Sequence, residues 1–284
     1  MNNHLEIKQG YNDLPLSQEQ ISLWENQGYI ILRGFFDQQD IHTFNEFINS
    51  LWDTRSNNKH ALAVDVDLNT PNAKRISFSK ANIDAKSRPY KLNDLYVNYP
   101  EVRQLCLAPK LTAVIKQLLS GQPTVINTLS MEFGTQQPDH IDTFFMPPRV
   151  ENKMLASWIA LDKTHDDNGP LQFYPGSHKI PPYRFSHGKL NAVGNEMNAF
   201  YQYIRPELKK RNIKPICFYA EPGDVLLWHA QLLHGGTLIN QMTTRRSLVT
   251  HYFRKQDMLN RFWRLRKHTK NGYYLKRGHQ ATSM

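Results

Sequence analysis

Apolar residues in the first part of the chain recur at helical spacing, and from Thr124 onward they alternate in short runs. Ser17-Gln-Glu-Gln20 has capping-box spacing ahead of Ile21 and Trp24, so the pattern predicts a helix there that Gly28 ends. Tyr29-Ile-Ile-Leu-Arg33 reads as a buried strand. Asp37 is placed to cap a second helix whose apolar positions are Ile41, Phe44, Phe47, Ile48 and Leu51. Residues 53–94 are polar, contain Pro71 and Pro89, and read as a long irregular stretch. A further amphipathic helix is predicted over Pro109 to Leu119, stopped by Gly121. Six short strands then follow: Thr124 to Phe133, Met154 to Leu161, Pro170 to Tyr174, Ile216 to Ala220, Val225 to His229 and Ser247 to Phe253.

Short strands separated by Pro, Gly and Asn/Asp turns predict a mainly β fold with flanking helices. A double-stranded β-helix, the cupin-like jelly roll, fits them. The expected organisation is one domain over residues 1–253 and a basic C-terminal tail over 254–284. Within the domain, 1–122 is the helical part and 123–253 the jelly-roll core. Residues 183–213 interrupt the strands with a helix around Asn195 to Lys210, an insertion placed as a lid over one mouth of the barrel.

Composition changes this picture little. At 40% hydrophobic and 11% aromatic residues, the 284-residue chain can bury a large core. Its two cysteines, Cys106 and Cys217, imply no disulfide framework. The first residues lack the basic and apolar regions of a leader, and no run reaches the length of a membrane span, so the expectation is a cytoplasmic protein. The charge of +10 is uneven: residues 254–284 hold nine Lys/Arg against one acid, and the rest holds 26 against 24. The nearly neutral body offers no broad basic face for nucleic acid. Within the tail, Asp257 to Lys267 reads as a basic amphipathic helix with Met258, Phe262 and Leu265 on one face.

Candidate chemistry centres on His140-Ile-Asp142. On an extended strand, residues two apart share a face, so this imidazole and carboxylate can grip one cation. Far downstream, His229 and His234 compete to be a third ligand. Their offset of five places them on opposite strand faces, and Gly235-Gly236 beside His234 permits close backbone approach. With His234 the set becomes a 2-His-1-carboxylate face, the arrangement that leaves positions open in non-haem Fe(II) oxygenases. Arg245, eleven residues beyond, can hold a carboxylate through two parallel bonds, and Arg246 points to the other side. In Met154 to Leu161, Ala156, Trp158 and Ala160 share one face, where a large ring between small residues suits a pocket wall.

These residues, in this order, resemble the phytanoyl-CoA dioxygenase family of Fe(II)- and 2-oxoglutarate-dependent oxygenases. The matching pieces are His140-x-Asp142, Trp158, Asn168-Gly-Pro-Leu171, Pro175-Gly-Ser-His178, Pro222-Gly-Asp224, His234-Gly235 and Arg245. The resemblance implies Fe(II) on His140, Asp142 and His234, with 2-oxoglutarate held by Arg245 beside Trp158. Where the family often has a small hydroxyl residue, this chain has Gly236, and the adjacent Thr237 is the candidate in its place. Phe144, Phe145 and Arg149 are candidates for substrate contact, the first two as an apolar rim and the third for an anionic group. The implied reaction decarboxylates 2-oxoglutarate to succinate and CO2 while O2 supplies a hydroxyl to an aliphatic carbon. Its substrate would be a small molecule or a carrier- or CoA-bound acyl group. Related halogenases have Ala or Gly in place of the carboxylate, so Asp142 implies hydroxylation. Asp139-His-Ile-Asp-Thr-Phe-Phe145 departs from the motif of the ectoine hydroxylase branch. The alternative reading is a cupin-like binding protein without catalysis.

Overall fold

Ser17 caps the first helix as its spacing predicts, its hydroxyl accepting from Gln20 N at 3.2 Å while Gln20 Oε1 accepts from Ser17 N at 2.6 Å. That helix, α1 (Gln18–Gln27), ends where Gly28 turns left-handed at φ 78°, and β1 (Tyr29–Leu32) follows, buried throughout. Asp37 caps α2 (Gln38–Asp53), which buries Ile41, Phe44, Ile48, Leu51 and Trp52. These are described in a computed structural model covering residues 16–259, 264–270, 272–280 and 282.

The polar stretch 53–94, expected to be irregular, instead contains β2 (Ala63–Val66), β3 (Lys74–Ser77) and β4 (Lys91–Asn93). All three are short. The turn after β2 uses left-handed Asp67 and Asn69, the kind of residues that mask a strand pair in a sequence pattern. Then come α3 (Pro100–Cys106) and α4 (Pro109–Leu119), each with Pro at its start. The left-handed residue closing α4 is Ser120, at φ 53°, rather than Gly121.

The remaining elements are β5 (Pro123–Met131), β6 (Met154–Ala160), β7 (Leu171–Phe173), α5 (Met197–Lys210), β8 (Ile216–Phe218), β9 (Val225–His229), β10 (His234–Gly236), β11 (Ser247–Arg254), β12 (Leu265–Lys267) and β13 (Tyr273–Leu275). The large sheet runs β1-β9-β6-β11-β5-β4-β2-β3, and a small sheet runs β10-β7-β8. The pair forms a jelly roll, mainly antiparallel, that does not close into a continuous barrel. Between the sheets lie Ala156, Trp158, Phe173, Phe218, Leu226 and Trp228. The opposite face of the large sheet presents Leu155, Ile159, Leu227, Leu248 and Tyr252 to the helices and to Trp52. Alternation along β6 and β9 thus sends one set of side chains to each layer.

The insertion contains α5, starting at Met197. Phe200 and Ile204 pack with Phe185, Phe144 and Ile141, and Tyr201 donates to Asp139 O at 3.1 Å. Its packing therefore bears on the loop that carries His140 and Asp142.

The helix expected over 257–267 does not extend to its C-terminal part. Residues 260–263, including Phe262, lie outside the described residues, but Leu265–Lys267 is a strand paired with β13. β13 in turn pairs in parallel with β5, Tyr273 opposite Thr124. Burial of Met258 and Leu275 against Ile126 supports this placement. Among the described residues, no helix is long and apolar enough to cross a membrane.

Trp52 is fully buried, edge-on to Phe78 and Tyr90, and its indole donates to Tyr90 Oη at 2.9 Å. Trp52→Ala is expected to destabilise the fold by about 3–5 kcal/mol, the range for emptying a large aromatic site. A urea titration checks this; a loss under about 1 kcal/mol would mean that the helical layer repacks around the gap.

Candidate active site

The loop after β5 and strand β10 meet through a two-residue bridge. His140 N donates to His234 O at 2.8 Å and His234 N to His140 O at 3.0 Å. Close approach here depends on Gly235, where an added Cβ would stand 2.5 Å from Asp139 Oδ1 and 3.0 Å from Gln137 O. The expected strand at His140-x-Asp142 shrinks to this bridge, because Asp142 starts a tight turn. Its carbonyl accepts from Phe145 N and Met146 N at 3.0 and 3.1 Å. Ile141 stays extended between them, at φ −121° and ψ 133°, so two residues of spacing still bring both side chains inward.

His140, Asp142 and His234 are all buried, and one donor atom from each lies within 4.8 Å of the others. Each imidazole is oriented from behind. His140 Nδ1 donates to Pro138 O at 2.8 Å and His234 Nδ1 to Leu232 O at 2.9 Å, which leaves both Nε2 lone pairs for the site. Burial pushes His140 down to about 3, so it is neutral at ordinary pH. For Asp142 burial opposes ionisation. The nearby His234 and His251 outweigh it and hold the carboxyl below the usual range.

Two residues outside the sequence reading hold that carboxylate. Trp228 Nε1 donates to Asp142 Oδ2 at 2.8 Å, and His251 Nε2 sits 3.4 Å from Oδ1. The imidazole of His251 is tied on by Asn127 (3.0 Å), and Asn127 Nδ2 donates to buried Asp94 at 3.0 Å. Asp94 receives Arg277 Nη2 at 2.6 Å, so the chain of contacts ends in the C-terminal tail. Alternation could have found His251, which is an even six residues past Arg245 on the extended chain that runs into β11, and lines the same cavity. Trp228 carried the same signal on β9, two residues after Leu226.

Arg245 is buried at 2% exposure, its Nε and Nη1 make no hydrogen bond, and it lies 5.4 Å from the Trp158 ring centroid. Burial lowers it to about 10, which still leaves it a cation at neutral pH. Arg246 points away, onto Glu132 at 2.7 Å and towards Asp162 at 3.8 Å. The triad, Trp158, Arg245 and His251 line one cavity with Lys91, Thr135 and Gln137, which the sequence reading did not single out. Lys91 donates to Gln137 at 3.2 Å, and Gln137 reaches His140 Nε2 at 3.3 Å.

The other candidates separate. Thr237 spends its hydroxyl on Pro170 O at 3.0 Å and does not line the cavity. Phe144 is buried in the α5 cluster, between Phe185 and Phe200. Phe145 is 58% exposed, with its ring 5.4 Å from His140. Arg149 is exposed. His229 faces away, against Trp24 and His178.

The sequence model of the phytanoyl-CoA dioxygenase family matches residues 24–246. The chain belongs to that family. Among relatives, a probable phytanoyl-CoA dioxygenase of Caenorhabditis elegans is 22% identical over 248 residues, covering 84% of this chain and 75% of that one. Similar solved folds include EctD from S. alaskensis with bound Fe, at TM-score 0.63 and 18% identity over 95% of this chain and 87% of that one. The epimerase SnoN from nogalamycin biosynthesis, in complex with Fe3+, α-ketoglutarate and nogalamycin RO, is similar at TM-score 0.62 and 16% identity, covering 84% and 83%. The dioxygenase-family membership and the buried His-Asp-His cluster agree in kind: the donor set suits iron, and the orphaned guanidinium suits a carboxylate.

Trp228→Phe removes the donor to Asp142 Oδ2 and keeps most of the packing. Anaerobic titration with Fe(II) is expected to show affinity about 10-fold weaker, as for other residues that orient a metal ligand. His234→Ala should lose far more. Equal affinity in wild type and Trp228→Phe would show that the indole bond does not set the carboxylate.

Proposed function

We propose that this protein is an Fe(II)- and 2-oxoglutarate-dependent dioxygenase that hydroxylates an aliphatic carbon of a small molecule or of a carrier- or CoA-bound acyl group. Succinate and CO2 are the co-products. The observation that carries the reading is Arg245: a buried cation with unpaired N–H groups, opening on the same cavity as a buried His-Asp-His set. A desolvated charge of this kind is costly unless an anion meets it. A binding protein of the same fold has no need of both features in one cavity.

In this reading His140, Asp142 and His234 would hold the iron, a two-imidazole, one-carboxylate donor set suited to Fe(II). When bound, iron with 2-oxoglutarate supplies the oxidising chemistry that breaks the C–H bond, and that chemistry is the cofactor's own. The chain contributes placement. Arg245 clamps the far carboxylate of 2-oxoglutarate, and Trp158 covers the guanidinium and keeps water from it. Lys91 adds positive charge on the cavity wall, although burial lowers its pKa. Trp228 and His251 fix which carboxylate oxygen of Asp142 faces the metal. Asp142 occupies the position that the halogenases leave to chloride, which favours hydroxylation as the outcome.

Arg245→Ala is expected to weaken 2-oxoglutarate binding by about 2–5 kcal/mol, the cost of breaking a buried charge pair. The readout is the weak visible charge-transfer band that 2-oxoglutarate develops with Fe(II) under anaerobic conditions. Arg246→Ala should leave that band alone and lower stability instead, since it leaves buried Glu132 with the Tyr90 hydroxyl but without its ion-pair partner. If Arg246 governs the band and Arg245 does not, the anchor is misassigned. Substrate-dependent succinate release from a metabolite extract, with the new hydroxyl drawn from isotopically labelled O2, tests the reaction itself.

A further inference from the structure

A second cavity, of about 540 Å³, opens next to the triad. Its walls are Ile126, Phe145, Met146, Phe253, Met258 and Leu275, with Arg149, Asp257 and Arg277 among the polar lining. Three links tie it to the candidate active site. Phe145 and Met146 hang from the carbonyl of Asp142 by hydrogen bonds of 3.0 and 3.1 Å. The Phe145 ring stands edge-on to His140, 5.4 Å between centroids. Phe253 lies two residues past His251 on β11, and so on the same face of the sheet. The size falls within the range of about 300–1,000 Å³ common for small-molecule sites.

The charges of this cavity do not cancel. Asp257 is satisfied by Arg254, at 2.6 and 2.9 Å, and Arg277 is committed to Asp94 at 2.6 Å. Arg149 forms no ion pair or hydrogen bond among the described residues. The wall is otherwise apolar and includes two methionines, whose side chains adapt to irregular shapes. Phe253, Met258, Leu275 and Arg277 all lie beyond residues 24–246, so the family match does not dictate this wall.

We infer that this cavity is the substrate chamber, that it takes a molecule with an apolar body and one anionic group, and that the C-terminal tail sets its selectivity. The inference rests on the reading of the neighbouring site as an oxygenase centre. The apolar body lies along Ile126, Phe253, Met258 and Leu275, and the anion meets Arg149 at the rim. Phe145 lines this chamber and its ring stands beside His140, an exposed apolar group on the side of the chamber nearest the triad.

The test uses protein loaded with Fe(II) and 2-oxoglutarate under argon, and three probes that share one chain: decanoate, decyl phosphate and decanol. Calorimetry is expected to show both anions binding about fivefold more tightly than the alcohol, a modest gain because the guanidinium is exposed and screened. That gap should shrink with added salt and vanish in Arg149→Gln. Comparison of decanoate with decyl phosphate then names the head group. Leu275→Trp, which fills the chamber, should weaken all three probes at least about tenfold, by the loss of apolar burial. Because Leu275 is buried, Phe145→Ala serves as a second variant on an exposed side chain and should weaken all three as well. Equal affinity for anion and alcohol, indifference to both wall variants, or no binding at about 1 mM would overturn the assignment. The charge-transfer band is read on the same samples. Its absence from wild type would instead sink the oxygenase reading, with probe binding still measurable.

Discussion

Asp142 is a carboxylate kept ionised at 3% exposure, and the architecture around it follows from what that requires. An isolated buried charge is prohibitive, so neighbouring elements converge on it. β9 supplies the Trp228 indole N–H and β11 the His251 ring, while His140 and His234 turn Nε2 lone pairs to the same point and so call for a cation there. Groups from three stretches of the chain, around 140, 228–234 and 251, must therefore be in register before the charge is tolerated. A metal ion on this set would carry the same compensation further, since a divalent cation is the strongest partner that a buried carboxylate can find.

Arg245 poses the opposite problem on the same cavity. Its guanidinium has a ring face beside it and, among the described residues, no carboxylate paired with it, whereas Arg246, one residue on, has two acids. Strand alternation separates the two arginines: one goes into the cavity and the other to the half-buried side. A cavity with an anion at one end and a cation at the other suits a ligand pair of reversed polarity. Fe(II) and a dicarboxylate fit both ends together, and that complementarity is more specific than either cluster taken singly.

The parts legible in the sequence were those that local pattern controls. The Ser17 cap, the α2 stripe and the alternation of Ala156, Trp158 and Ala160 against Leu155 and Ile159 are all visible as periodicity. The bridge between His140 and His234 was legible only through Gly235, whose missing side chain leaves room for Asp139 and Gln137. What long-range pairing decides was hidden. β2 to β4 are three or four residues each and join the sheet through β5, so no local stripe marks them. Thr237 looked like a hydroxyl for the site, but Pro170 O, brought up by β7, claims it first.

The basic tail shows how composition misleads when topology is unknown. Its charge and spacing suited an amphipathic helix, yet Leu265–Lys267 at the end of that segment is a strand paired with β13. Arg277 and Arg254 are placed against Asp94 and Asp257, so two of its cations neutralise acids rather than recruit a partner. β12 pairs with β13 alone and therefore presents its other side as an edge. Exposed Arg266 and Lys267 on that strand are the sort of charges that stop an edge from pairing with another chain. Much of the tail's positive charge thus has a structural cause. Among the three charged residues that line the second cavity, Arg149, which comes from the loop after the triad and not from the tail, is the one with no ion-pair partner among the described residues.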